Sequence, residues 1–272
     1  MATDRQQRKA DAFAALHEGN PFVIPNPWDA GSARVLAGLG FQALATTSSG
    51  FAFTLGRVDG TATLDEVAAH VELLDRVTEL PVSADLENGY GAEPEAAAHA
   101  VTRAAEAGAV GGSIEDGDPG GGIYDLAHAV ERVAASVEAA RRLPFRFMLT
   151  ARAENHIRDN PDLDDTIARL QAFEAAGADV LYAPGLATAE EIRAVCAAVS
   201  RPVNVLAVPG LTFDEVAAAG TQRVSVGGSL AWSAVGAATA AALAIRTGGD
   251  FSGLGTSALF RDWLAPSRDT ED

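Results

Sequence analysis

The chain has 272 residues and a formal net charge of −17, and hydrophobic residues make up 48% of it. This composition is typical of a globular protein with a sizeable core, and the negative charge argues against nucleic acid or a membrane surface as a partner. The single cysteine, Cys196, excludes an intramolecular disulfide and a cysteine-based zinc site. The single lysine, Lys9, lies near the N-terminus, which argues against Schiff-base chemistry and against a P-loop.

The N-terminal segment lacks the apolar core of a signal peptide, and no stretch reaches about 18 uninterrupted apolar residues. We therefore expect a soluble, cytoplasmic protein.

Predicted strands and helices alternate along the chain. An N-terminal helix is expected within residues 1–20. Eight apolar runs then have the pattern of strands, at 22–25, 43–47, 81–87, 111–115, 147–152, 180–184, 202–207 and 223–228. Helical patterns lie between them: Thr63 and Glu66 form a capping-box pattern, and Gly108 and Gly177 follow predicted helices.

Eight strand-then-helix units predict an α/β fold, a (β/α)8 TIM barrel that forms a single domain over residues 1–272. Residues 250–272 are expected to form a C-terminal helical extension and tail. The alternative is a doubly wound open sheet, which predicts a Gly-x-Gly-x-x-Gly motif after the first strand. The sequence there is NPWDAGSA, so the barrel is favoured.

Charged residues collect where the predicted strands end, at the face where barrel enzymes have their active sites. Asp85 and Glu87 end the third strand, Glu115 ends the fourth, and Arg152 and Glu154 lie at the end of the fifth. Converging carboxylates repel one another unless a cation neutralises them. A hard divalent ion with oxygen ligands, Mg²⁺ or Mn²⁺, would meet that need. The alternative is that the two carboxylates of the third strand pair with arginines or cap the next helix.

Four further features near strand ends are candidates for substrate binding. The planar guanidinium of Arg152 suits a substrate carboxylate, although it could equally pair with Glu154. The turn at residues 46–50 offers hydroxyl and N–H groups, which either bind an anion or cap a helix. Trp28 follows the first strand and either covers the site or packs in the core, and Asn204 lies within the seventh strand.

The segment GDPGGGIYD, residues 117–125, follows the fourth strand and is rich in glycine. It is either a lid that closes over a ligand or a flexible connector. His156, just after the fifth strand, is either an acid or base or a solvated loop histidine. The other four histidines lie on predicted helices and are expected at the surface: His17, His70, His99 and His128.

The chain resembles the isocitrate lyase and phosphoenolpyruvate mutase superfamily. The resemblance is carried by IPNPWDAGSARVLAGLGFQALATTSSG, LGRVDG, PVSADLENGYG, GGSIEDGDPG, the Arg-x-Glu of TARAEN, and PVNVLAVPG. These segments run in order from about residue 20 to residue 230. The resemblance implies a barrel enzyme that uses Mg²⁺ to bind a 2-oxo acid or its enolate and that breaks or forms a C–C or P–C bond beside it.

The resemblance also implies roles for individual residues. Asp85 would be the direct metal ligand, and Asp59, Glu87 and Glu115 would support it directly or through water. The groups that hold the substrate carboxylate would be Thr47, Ser48, Ser49, Gly50 and Arg152. The resemblance further implies a homo-oligomer, a dimer or a tetramer, whose subunits exchange the last barrel helix. Residues 251–264 are a candidate for the exchanged segment.

The lid departs from the superfamily pattern. Lyase members carry Lys-Lys-Cys-Gly-His after the fourth strand, and phosphonate-processing members carry Glu-Asp-Lys with a later lysine and asparagine. Residues 117–125 contain no lysine, cysteine or histidine. The local candidates for the general acid or base are Asp118, Tyr124, Glu154 and His156.

The sequence thus predicts a Mg²⁺-dependent lyase for a small 2-oxo or 2-hydroxy carboxylate, one that cleaves a C–C bond or decarboxylates its substrate through an enolate. Glu115 and Arg152 are the predicted charged participants in that chemistry. One alternative is P–C bond chemistry on a phosphonate. The other is a non-catalytic barrel that binds carboxylates.

Overall fold

Eight parallel strands form one sheet in the order β1-β8-β7-β6-β5-β4-β3-β2 in the computed structural model, which describes residues 4–255 and 264. The strands are β1 Phe22–Ile24, β2 Leu44–Ala45, β3 Val82–Asp85, β4 Gly111–Glu115, β5 Met148–Arg152, β6 Val180–Tyr182, β7 Val203–Leu206 and β8 Arg223–Ser225. The amide of Ala45 donates to the carbonyl of Pro25 over 3.1 Å and links β2 to the end of β1. The sheet is therefore a nearly closed barrel, and the predicted TIM-barrel fold with its eight strands is confirmed.

Helices connect the strands and cover the outside of the barrel. They are α1 Asp4–Leu16, α2 Ala30–Gly38, α3 Ser48–Thr54, α4 Leu64–Val77, α5 Pro94–Glu106, α6 Leu126–Arg141, α7 Leu163–Ala175, α8 Ala189–Ala198, α9 Phe213–Ala218 and α10 Ser229–Gly248, with a 3₁₀ turn at Asn155–Ile157. The predicted capping box is present at the start of α4, where Thr63 and Glu66 bond each other's backbone. This places the start of α4, and the loop before it, at a fixed point beside the mouth of the barrel.

Helix α1 covers the N-terminal ends of the strands. Its Phe13 is fully buried against the first residue of β4, Gly111. A Cβ atom at Gly111 would lie 2.7 Å from Cε1 of Phe13 and 2.9 Å from the carbonyl oxygen of Met148, so only glycine fits there. The predicted N-terminal helix is thus present and closes the bottom of the barrel, which leaves the opposite end open to ligands.

The prediction of surface positions is wrong for two of the helical histidines. His17 is 5% exposed and its ring packs edge-on against Phe13 and Phe22. His70 is 4% exposed and stacks on Phe51 with 4.2 Å between ring centroids. Burial lowers the pKa of His17 to about 3 and that of His70 to about 4, because the charged imidazolium loses its hydration. Both rings therefore act as neutral core groups.

Helix α10 lies mostly in solvent. Ala231 is its only buried residue, and Trp232 and Leu243 are each about half exposed. Within residues 4–255 and 264 it is the one helix whose length and composition would let it cross a membrane, and a single such helix is weak evidence for a membrane span. The predicted extension at 250–272 lies largely outside the described residues; Arg34 donates to the carbonyl of Leu264 over 3.0 Å.

Candidate active site

Two neighbouring cavities, which share Arg152 in their linings, lie at the C-terminal end of the barrel. The outer one, the mouth cavity, has a volume of about 360 Å³ and is lined by Ser48, Asp59, Gly60, Glu87, Glu115, Arg152, Glu154, Ile157 and Arg158. The inner one, the inner cavity, has a volume of about 60 Å³ inside the barrel, and its polar lining includes Thr46, Thr47, Asp85, Asn204 and Arg223. Arg152 lines both cavities. The structure therefore brings the four predicted metal residues to one end of the barrel.

The strand register explains why these side chains meet. Asp85 ends β3 beside Ser113 of β4, and Glu115 ends β4 beside Arg152 of β5. Alternate residues of a strand point to the same side, so Ser113 and Glu115 both face the barrel interior. Glu154 lies two residues beyond Arg152 and lines the same mouth cavity.

Asp85 is held in place by four hydrogen bonds, one of which comes from the amide of Glu87 to its Oδ1 over 3.4 Å. Its Oδ2 accepts from the amide of Ser48 over 3.1 Å, its Oδ1 accepts from the hydroxyl of Ser113 over 3.4 Å, and its own amide donates to Thr46 over 2.7 Å. Nη1 of Arg152 lies 3.9 Å from its Oδ1. The carboxylate is thus oriented by hydrogen bonds and has only a long contact to an arginine.

Glu87 lies in an unfavourable backbone conformation at the edge of the mouth. Its φ is +48°, a left-handed value that costs free energy for a residue with a side chain. Burial, together with the negative charges of Asp85 and Asp59, raises the pKa of Glu87 to about 7. Tyr90 donates its hydroxyl to Glu87 over 3.4 Å. The charge of Arg152 opposes this effect on Glu87 but does not cancel it.

Two arginines neutralise the other side of the mouth. Arg152 lies 3.5 Å from Glu115 and donates through Nε to Glu154. Arg158 reaches the same pair, at 3.2 Å from Glu115 and 3.4 Å from Glu154. Burial nevertheless raises the pKa of Glu115, and this effect outweighs the opposing charge of Arg152. Arg152 thus pairs with Glu154, which is one of the two partners that the sequence predicts for it. Its side chain also lines both cavities.

Sequence reasoning missed Arg158, and the structure separates Asp116 from the site. Arg158 follows the 3₁₀ turn after β5, in a segment without a strand pattern. Asp116 follows Glu115 directly, and its side chain points away from the cavities, where it accepts from the amide of Glu154 over 2.8 Å and pairs with Arg169 at 3.1 Å. The alternation of side chains along β4 is a sequence signal that separates Asp116 from Glu115.

The turn after β2 mainly caps a helix. Thr47 is the N-cap of α3 and accepts from the amide of Gly50 over 3.4 Å. Ser49 accepts from the indole N–H of Trp232 over 3.0 Å. Trp28 is half-buried beside Gly50, where an added Cβ would lie 3.1 Å from Cβ of Trp28. Of the substrate-binding candidates, the residues that line the two cavities are Thr47, Ser48, Arg152 and Asn204.

Three of the four acid–base candidates line neither cavity: Asp118, Tyr124 and His156. The ring of Tyr124 packs under the guanidinium of Arg132 at 4.8 Å and edge-on against His128 at 5.0 Å. His156 packs against the turn at Gly185, where an added Cβ would lie 2.8 Å from Cβ of His156. The predicted lid contains a small hairpin in which Gly117 bridges Ile123. Glu154 is the remaining candidate that lines the mouth.

The donor set fits a hard divalent ion. Asp59, Asp85, Glu87 and Glu115 offer only oxygen ligands. Burial first, and then the negative charges of Asp85 and Asp59, raise the pKa of Glu87, and a dication would neutralise those charges. In residues 4–255 and 264, no three acidic, histidine or cysteine side chains are arranged as a complete ligand set. Mg²⁺ needs only one or two carboxylates and keeps several waters, so a partial set is sufficient for it.

A TIM barrel whose mouth combines clustered carboxylates with an arginine belongs to the class of barrel proteins with a polar site for small charged ligands. The chain belongs to the phosphoenolpyruvate phosphomutase family, which matches residues 13–246. The resemblance to the isocitrate lyase and phosphoenolpyruvate mutase superfamily is confirmed.

Individual relatives extend this family assignment. A crystal structure of a candidate lyase/mutase from Burkholderia cenocepacia J2315 is 51% identical, with a TM-score of 0.93, and the match covers 97% of this chain and 98% of that one. The 2-methylisocitrate lyase of Escherichia coli K12 is 30% identical over 76% of this chain and 73% of its own length. The oxaloacetate decarboxylase of Paraburkholderia xenovorans LB400 is 32% identical over 76% of this chain and 69% of its own length.

Proposed function

We propose that this protein is a Mg²⁺-dependent carbon–carbon lyase for a small 2-oxo or 2-hydroxy carboxylate. One observation carries the proposal: Asp59, Asp85, Glu87 and Glu115 surround the same barrel mouth as Arg152. The names of two relatives, 2-methylisocitrate lyase and oxaloacetate decarboxylase, support the reaction class.

In this proposal Asp85 binds the metal directly, because hydrogen bonds from Ser48 and Ser113 already orient its carboxylate. Asp59, Glu87 and Glu115 hold the metal's waters. When bound, Mg²⁺, or Mn²⁺ in its place, supplies a Lewis acid that polarises the 2-oxo group of the substrate.

Arg152 holds the substrate carboxylate and stabilises the negative charge that develops on the enolate. The guanidinium is preorganised for this role by Glu115 and Glu154, which fix its orientation on the side away from the inner cavity. Thr47, Ser48 and Asn204 line the same space and add hydrogen-bonding groups.

Decarboxylation is the branch for which the mouth is best equipped. Loss of carbon dioxide leaves an enolate and needs no base to start, whereas cleavage to an aldehyde or oxo acid needs a base within hydrogen-bond reach. Tyr124 and His156 pack away from the cavities. Glu154 lines the mouth but is engaged by Arg152 and Arg158. Oxaloacetate is therefore the first substrate to test.

The test is the release of pyruvate from oxaloacetate, followed with a coupled dehydrogenase, with Mg²⁺ and after chelation. Because divalent ions decarboxylate oxaloacetate without protein, Mg²⁺ alone gives the background rate. We expect wild-type turnover above this background, and loss of at least about a hundredfold for Asp85→Asn, the scale of removing one key electrostatic group. Asp65→Asn is the matched control, since Asp65 is exposed and pairs with Arg103 on the outside of the barrel.

Three other outcomes would redirect the proposal. Equal turnover after chelation contradicts metal dependence. Release of phosphate from phosphonopyruvate points instead to P–C bond chemistry. Tight binding of oxalate, a planar mimic of the enolate, without turnover of any 2-oxo or 2-hydroxy acid points to a non-catalytic binding protein.

A homo-oligomer, a dimer or a tetramer with an exchanged last helix, is part of the same proposal. It is supported by α10, where Trp232 and Leu243 are about half exposed, and by Phe251, which is 64% exposed. A second copy of the chain would remove this apolar surface from water. Light scattering after size exclusion measures the subunit number, and we expect Leu243→Glu to lower it. A cytoplasmic location stays a prediction.

A further inference from the structure

Arg223 is a buried arginine without an acidic partner. It begins β8 and is 5% exposed. Its three side-chain partners are all neutral: Nε donates to Oδ1 of Asn204 over 2.8 Å, Nη2 donates to the hydroxyl of Thr150 over 3.0 Å, and Nη1 contacts Nε2 of His17 at 3.2 Å. No carboxylate oxygen in residues 4–255 and 264 lies within 4.0 Å of its guanidinium, in contrast to Arg152.

His17 is neutral and serves as a hydrogen-bond acceptor. Its Nδ1 lies 2.8 Å from the carbonyl oxygen of Phe13, which only accepts, so the ring proton is on Nδ1. Nε2 is therefore free to accept from Arg223. Burial and the charge of Arg223 lower the pKa of His17 to about 3, so the acceptor persists at neutral pH. The bottom of the barrel supports the guanidinium without cancelling its charge.

The charge of Arg223 faces the inner cavity. That cavity, of about 60 Å³, is lined by Arg223 from below and by Arg152 at its top. By volume it has room for about four waters, which is also enough for a carboxylate group. A buried unpaired charge destabilises the folded protein unless a counter-charge is supplied. Asp85 lines the same cavity but lies more than 4.0 Å from the guanidinium of Arg223, so an anion bound in the inner cavity is placed to supply the counter-charge.

Arg223 also fixes the orientation of Asn204. The amide oxygen of Asn204 accepts from Arg223, and its Nδ2 donates to the hydroxyl of Ser225 over 3.0 Å. The second hydrogen on Nδ2 is left for a ligand. The polar groups at the base of the inner cavity thus present donors and positive charge, which is the arrangement that selects an anion.

We propose that Arg223 is a specificity-determining residue that favours dianionic over monoanionic ligands, because a carboxylate bound in the inner cavity neutralises the charge of its guanidinium. The inference rests on the proposed function, since it concerns the ligand of the same site. Arg223 is then a second cationic group of the site, in addition to Arg152. Two cationic groups favour small dicarboxylates and their enolates as ligands.

The test compares two nearly isosteric probes, oxalate, a dianion, and oxamate, a monoanion, by calorimetric titration in the presence of Mg²⁺. We expect Arg223→Met to weaken oxalate binding by about tenfold or more, the scale of a charge-assisted contact. Oxamate binding should weaken by less than about threefold on the same reasoning. A purely structural role would weaken both probes equally, so the ratio of the two affinities is the decisive reading.

Three further variants separate charge from folding. Arg223→Lys keeps the charge and should keep the ratio, although it loses the fork that holds Asn204. Thr150→Val removes one neutral partner and should also leave the ratio unchanged. If Arg223→Met does not fold, Arg223→Gln, which keeps a donor without the charge, gives the same test.

The two levels of the proposal fail in different ways. An unchanged ratio in the uncharged variant, or a lost ratio in Arg223→Lys, overturns the role of Arg223 and leaves the lyase proposal intact. A wild-type protein that binds neither probe with Mg²⁺ overturns both.

Discussion

Replacement of Gly89 by alanine tests the packing that presents Glu87 to the mouth. Gly89 has a φ of +79° and contacts the first turns of α5, where an added Cβ would lie 2.7 Å from Cα and 3.0 Å from Cβ of Ala97. The left-handed conformation costs a side chain roughly 1–2 kcal/mol, and overpacking against a helix backbone costs about 1–3 kcal/mol more. We therefore expect Gly89→Ala to lower the free energy of unfolding by about 2–5 kcal/mol in total.

Gly40 provides the matched control. Its φ is +89°, but nothing lies within 4 Å of an added Cβ, so Gly40→Ala carries only the conformational cost. The difference between the two variants is then the packing cost, about 1–3 kcal/mol, or about 2–12 °C in Tm for a domain of this size. Scanning fluorimetry and urea unfolding measure it. A Gly89→Ala protein as stable as Gly40→Ala would refute the close contact between this loop and α5.

Two more predictions concern charge. The pKa of His70 falls from 6.5 in the unfolded chain to about 4 in the folded protein. Its contribution to stability is therefore complete above pH 6.5 and is lost as the pH falls towards 4. This pKa difference corresponds to about 3 kcal/mol in the free energy of unfolding. His70→Leu should remove that part of the pH dependence in urea unfolding at pH 4.5 and 7.5, and an unchanged dependence would contradict its burial as a neutral group. Arg158→Gln removes a partly exposed cation beside Glu115 and Glu154. We therefore expect it to tighten Mg²⁺ binding by about two- to fivefold and to weaken carboxylate binding. Titration with Mg²⁺ measures the change in affinity, and weaker Mg²⁺ binding would contradict the prediction.

The sequence is most informative about the fold because each strand and helix leaves a local pattern. The run from Pro81 to Glu87 is apolar enough to predict a buried strand. Its charged C-terminal end predicts which face of the barrel carries the site. Asp85, Glu87 and Glu115 could be placed together because parallel strands end at one face. The contribution of Asp59 to this cluster depended on the family resemblance, since it lies in a loop without a strand pattern.

Contacts between distant segments could not be predicted in the same way. Arg223 is the first residue of a strand, at the end of the barrel opposite the predicted site, so the sequence gives it no functional role. Only the fold shows that its long side chain contacts His17 of the N-terminal helix. Tyr124 illustrates the opposite case: its position in the lid suggested a catalytic role, yet its ring packs on Arg132 of α6. In both cases the direction of the side chain depends on tertiary packing, which local periodicity does not encode.

The arrangement of charge along the barrel axis fits the proposed binding of an anion by so acidic a protein. Its net charge of −17 repels carboxylates at long range, so attraction must come from cations inside the cavities. The mouth has an excess of carboxylates, which a dication would neutralise, while Arg152 and Arg223 both line the inner cavity, where an anion would supply the counter-charge that Arg223 lacks. A 2-oxo acid bound to Mg²⁺ through its oxo group matches both requirements at once. The metal alone would neutralise only the carboxylates of the mouth, and the anion alone would neutralise only the arginine of the inner cavity. We therefore expect metal and substrate to bind cooperatively.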